Sequence, residues 1–123
     1  MIEIIPFEES NVVGLRLDGK MDDESYHRAI AAIDQALANN DKIRIYAEVV
    51  KIGGMSLEAF IENAKVKFQY FKELDKFEKE AIVSDKTWLE TWIKIGDKLF
   101  PSVEVKYFPS EEKEEALAWV KAQ

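Results

Sequence analysis

Residues 42–50 read KIRIYAEVV, alternating at first and then largely apolar. A strand with apolar side chains on both sides must be covered on both faces, so Lys42–Val50 is predicted to lie deep within a sheet. Its neighbours in sequence decide how that sheet is built. Upstream, from Asp22, the positions Tyr26, Ala29, Ile30, Ile33, Ala36 and Leu37 recur every three or four residues, the period of an amphipathic helix. Asp22 or Asp23 can cap its start, and Asn39 and Asn40 suit its exit. Downstream, Ser56 opens a second helix with Leu57, Phe60, Ile61, Ala64, Phe68, Phe71 and Leu74 on one stripe. A buried strand between two helices belongs to a parallel sheet joined by crossovers.

The flanks extend the pattern. IEIIPF and VVGLRLDG, separated by EESN, read as a hairpin or two adjacent strands, and Pro6, which has no N–H to give a ladder, marks an edge or an end. EAIVSD at Glu80–Asp85 is a fourth strand, and TWLETWIKIGDKLF at Thr87–Phe100 is a third helix, stopped by Pro101. Val103–Phe108 is a fifth strand, and Ser110 caps a closing helix. The predicted order is ββαβαβαβα. This is a single α/β domain over residues 1–123, with a mostly parallel central sheet, right-handed crossovers and no repeat or linker.

Composition narrows the chemistry. With no cysteine there is no disulfide, thiolate nucleophile or sulfur-ligated zinc, and a lone histidine, His27, leaves no histidine pair for a metal. A net charge of −7 opposes long-range attraction to nucleic acid or anionic lipid. Apolar runs stop far short of the ~20 residues that span a bilayer. The opening MIEIIPFEES is acidic where a secretory signal is basic, so a cytoplasmic location is expected.

In an open α/β sheet, ligands bind beyond the carboxyl ends of the parallel strands. The turns Gly19–Asp23, Lys51–Ser56, Asp85–Thr87 and Pro109–Ser110 would share that edge. Gly53 and Gly54 permit close backbone approach, and Ser56 with the free N–H groups after it could hold an anion; the plainer reading is a flexible turn with a serine cap. Asp22, Asp23 and Glu24 fan outward at a helix start and suit its dipole better than a cation. His27 lies beside the inward stripe and is expected to be exposed, and no serine sits in a nucleophile elbow. Trp88, Trp92, Ile95 and Leu99, with Leu89, Ile93 and Phe100 beside them, make an apolar arc wider than one sheet-facing stripe needs. Val66 and Tyr70 likewise lie off the main stripe of the second helix. Such arcs fit core between helices, a dimer surface or an apolar ligand pocket.

GGMSLEAF at Gly53–Phe60, FEKEAIVSDKTWLETW at Phe77–Trp92, KLFP at Lys98–Pro101 and VKYFPSEEKEEALAWV at Val105–Val120 resemble the SpoIIAA-like proteins of the STAS and CRAL-TRIO-like grouping. The resemblance implies a STAS-like fold. Better-known STAS relatives are anti-sigma-factor antagonists switched by phosphorylation of a serine at the start of the second helix; Ser56 holds the comparable place, in a loop that reads IGGMS without their acidic residue and paired serines. CRAL-TRIO relatives bind hydrophobic small molecules. The resulting expectation is a non-enzymatic module, without cofactor or metal, that binds a partner protein or a small lipid-like ligand, with a homodimer as a further possibility. A phosphorylation-controlled regulator acting through Ser56 is the alternative. The candidate binding residues are Gly53, Gly54, Ser56, Phe68, Phe71, Trp88 and Trp92.

Overall fold

The strand expected at 42–50 is β3, Ile43–Gly54, the middle strand of a five-stranded sheet in the computed structural model, which describes residues 2–54, 57–70, 72–85 and 103–122. On one side of it lie β2 (Val12–Met21) and β1 (Ile2–Ile5), and on the other β4 (Phe77–Ser84) and β5 (Glu104–Phe108), in sequential order. β2–β3, β3–β4 and β4–β5 are parallel pairs, whereas β1 returns antiparallel on β2, with Ile2 opposite Leu17 and Ile5 opposite Gly14. The helices are α1 (Asp23–Asn39), α2 (Leu57–Tyr70) and α3 (Lys113–Lys121). The helix expected at Thr87–Phe100 lies outside the described residues. No helix among the described residues is long and apolar enough to cross a membrane.

Sequential strand order has a consequence for layering. Successive crossovers of one hand, stepping always in one direction, place their helices on one face of the sheet. α1 and α2 accordingly share a core: Ala29, Ile30, Ile33, Ala36, Leu37 and Phe68 pack with Val13, Leu15 and Leu17 of β2 and Ile43, Ile45, Ala47 and Val49 of β3. The α1 stripe is the one its period predicts. α3 covers the opposite face, where Ala116 and Val120 meet Val12, Tyr46, Ala81, Val83 and Phe108. Because the order never reverses among the described strands, they form no switch point of the kind that opens a ligand crevice in doubly wound folds.

Local chemistry sets the ends of the elements. Asp22 caps α1, its carboxylate accepting from the Ser25 N–H at 2.9 Å, and that bond holds its pKa below the usual carboxylate value. α2 stops at Tyr70, short of the stripe drawn through Leu74. Lys72 takes a left-handed conformation (φ 58°) while its N–H and that of Glu73 return to the carbonyls of Gln69 and Phe68, a Schellman closure that turns the chain out of the helix. Leu74 then sits in a 3₁₀ turn, Leu74–Lys76, and still packs on the core.

Two further expectations change. Ser110 is no cap: it opens a 3₁₀ turn, Ser110–Glu112, closed by the Glu112 N–H on the Pro109 carbonyl, and the helix proper starts at Lys113. Gly53 and Gly54 are strand and not turn, because β2 runs on to Met21 and offers them a ladder, with Lys20 opposite Gly53 and Met21 opposite Gly54.

Candidate functional site

β3 presents Arg44, Tyr46 and Glu48 at alternate positions, hence on one face, the face that α3 covers. Each does something different there. The buried Arg44 guanidinium donates to the Glu78 carboxylate and to the Val120 carbonyl, both at 2.8 Å, and to the Ala122 carbonyl. The Lys79 ammonium donates to the carbonyls of Trp119 (3.1 Å) and Ala122 (3.0 Å). Two cations thus meet the carbonyls that end α3, of which that of Trp119 also accepts the Ala122 N–H, at the negative end of its dipole, and dock the helix by its C-terminus.

Tyr46 is 1% exposed, and its O–H donates to Glu48 Oε2 at 2.7 Å. Burial, and then the hydrogen bond to Glu48 and its charge, push the phenol well above its ordinary pKa, so it remains a donor. The other Glu48 oxygen lies 3.5 Å from Lys113 Nζ and 3.7 Å from Arg16 Nε, and Arg16 also faces Asp18 at 3.4 Å. With a side chain only 14% exposed, Glu48 is the hub of these interactions.

Phe7 leans over Tyr46, edge to face, with centroids 5.9 Å apart. It can do so because residue 14 is glycine. A Cβ there would fall 2.5 Å from Phe7 Cε2 and 2.6 Å from the Ile5 carbonyl oxygen, so the ring and the β1 backbone occupy space that any other residue would need. The outcome is a crevice of about 520 Å³, walled by residues 5–9, by Tyr46 and Glu48 at its floor, and by Leu117 and Lys121 of α3. That volume falls within the roughly 300–1,000 Å³ of small-molecule sites. Glu48 also borders a smaller recess of about 150 Å³ beside the middle of β3 and the carboxyl end of β4, shared with Arg16, Val50, Asp85, Ser110 and Lys113.

The sequence-derived candidates fall elsewhere. Gly53 and Gly54 are in the β3 ladder. Phe68 is 2% exposed and meets Phe77 at a tilt, with ring centroids 5.0 Å apart, within the α1–α2 core. Ser56, Phe71, Trp88 and Trp92 lie outside the described residues. His27 is exposed beside Tyr26. Val66 and Tyr70 are 66% and 79% exposed on α2. Of the carboxyl-edge turns, Asp85 and Ser110 do come together, in the smaller recess. Among the described residues no group of three or more His, Asp or Glu side chains is placed to hold a metal ion. Phe7, Gly14, Tyr46 and Glu48 escaped the sequence reading; the alternation R-x-Y-x-E within a central strand was the available signal, since a wholly buried strand has no need of it.

The SpoIIAA-like family model matches residues 12–121. A similar solved structure is an uncharacterized protein of the DUF3478 family with a SpoIIAA-like fold from Shewanella loihica PV-4, 24% identical, with a TM-score of 0.69 over 98% of this chain and 92% of that one. No curated protein matches. The model match takes in four of the five strands and all three described helices, along with both walls of β3. The chain belongs to the SpoIIAA-like family.

Proposed function

We propose that this protein is a non-enzymatic binding module that takes a small ligand with an apolar body into the crevice between residues 5–9, β3 and α3. The observation that carries this reading is the crevice itself: about 520 Å³ with Ile5, Phe7 and Leu117 as apolar wall and a fixed polar pair, Tyr46 and Glu48, at its floor. Apolar walls with a few placed polar groups are how proteins bind small molecules. The same floor argues against chemistry. Tyr46 is a donor with its proton committed to Glu48, and Glu48 is already engaged by Tyr46, Lys113 and Arg16, which leaves neither free to act as a base. The lining includes no histidine, and the chain has no cysteine. The sequence places the candidates at the Gly53–Ser56 turn and on the second and third predicted helices; this proposal retains a binding role and puts it on the α3 side of the sheet.

Backbone-amide NMR titration with a fragment library tests this. Saturable shifts grouped at residues 5–9, 46–48 and 117–121 are expected, and they should vanish in Gly14→Ala, whose added methyl displaces Phe7. Hits that cluster on α1 or α2, or that persist unchanged in Gly14→Ala, would remove the proposal.

A further inference from the structure

Resting on that crevice reading, we propose that the ligand is an organic cation, a primary ammonium carried on an apolar body. The carboxylates come first. Glu8 and Glu9 stand at the mouth and Glu48 at the floor, against a single lining cation, Lys121. Glu48 is matched by Arg16 and Lys113, so the imbalance lies at the mouth, where two carboxylates face one ammonium. Glu8 is exposed and makes no ion pair among the described residues, which leaves one uncompensated negative charge beside an aromatic wall.

The position of Lys121 is the second observation. Its ammonium lies 5.3 Å over the Phe7 ring and 3.7 Å from Glu9 Oε2. A cation over an aromatic face with a carboxylate alongside is the arrangement by which proteins recognise ammonium ligands. The chain therefore already displays, with its own lysine, the contacts an incoming amine would make. An anionic ligand would have to approach Glu8, Glu9 and Glu48 together and would draw Lys121 off Phe7. A neutral one would leave the mouth charge unmatched. The apolar body would lie against Ile5 and Leu117. The net charge of −7 assists the approach of a cation at low salt.

The test uses the full chain and three probes of equal length, hexylamine, hexanol and hexanoate, followed by backbone-amide NMR at neutral pH. Hexylamine should shift residues 5–9, 46–48 and 117–121 and bind at least fivefold more tightly than hexanol, with hexanoate weakest. The double variant Glu8→Gln, Glu9→Gln should abolish the preference for hexylamine over hexanol, and Lys121→Met, which removes the internal competitor, should raise hexylamine affinity. Equal or tighter binding of hexanol or hexanoate at those residues overturns the cation inference and leaves the crevice standing as a site. A fall in hexylamine affinity in Lys121→Met also overturns it. If none of the probes moves those residues, both the inference and the reading beneath it fail.

Discussion

The two faces of the sheet are covered in different ways. Under α1 and α2, β2 and β3 contribute an unbroken set of Val, Leu, Ile and Ala side chains, met by the apolar stripe of a seventeen-residue helix. Under α3 the cover among the described residues is a single helix of nine residues, about 13 Å long at 1.5 Å per residue, too short to seal the face of a five-stranded sheet. Polar groups complete it: Arg44 and Lys79 at the helix C-terminus, Lys113 and Glu48 near its start, and a crevice alongside. The first face carries the larger apolar core, and the second combines a smaller core with an open crevice. A central strand with polar residues on one side only marks the face where the cover is partial.

That contrast can be attacked from either side. On the sealed face, Ile43→Ala removes a fully buried side chain and should cost about 2–5 kcal/mol by urea denaturation while leaving crevice binding unchanged in the folded protein. On the other face, Arg44→Ala takes away the bonds to Glu78 and to the carbonyls of Val120 and Ala122. It should cost about 2–3 kcal/mol and speed hydrogen exchange in residues 113–122 ahead of those in α1, since a lost charged donor leaves buried acceptors unpaired. Uniform acceleration over both helices would mean that the faces are one cooperative unit.

The smallest effect tests an exception on the apolar face. Glu80 stands in register between Ile45 and Val105, half-buried on the α1–α2 side, and burial pushes its carboxyl up to about 7. The folded protein thus holds this proton more tightly than the unfolded chain does. The contribution is fully present below pH 4.5 and is lost as pH rises through about 7. Glu80→Gln should leave stability at pH 4 nearly unchanged and raise it by about 1–2 kcal/mol at pH 8, a partial share of the 1.36 kcal/mol per pH unit that linkage allows. A variant no more stable than wild type at pH 8 would show that the carboxylate reaches solvent.

How far the sequence revealed this follows from the range of the interactions. The α1 stripe, the β3 strand and the strand positions were legible because periodicity and capping act over a few residues, as at Asp22. The end of α2 was not, because Lys72 adopts a left-handed conformation that residue type does not announce. Ser110 looked like a cap because the 3₁₀ turn ahead of α3 depends on how β5 delivers the chain to the sheet face. The crevice was least visible of all. It needs Phe7, Gly14, Tyr46 and Lys121, spread over more than a hundred residues and joined only by strand register and the docking of α3. Strand alternation could show that Tyr46 and Glu48 share a side, but not that Gly14 makes room opposite them.

The most direct measurement is a crystal structure of the protein soaked with hexylamine. The account predicts the alkyl chain against Phe7 and Leu117, with its nitrogen near Glu8 or Glu9, and an α1–α2 face unchanged from the unsoaked crystal. Amine seated instead between the sheet and α1 or α2, with the α3 crevice empty, would contradict the division of roles between the two faces.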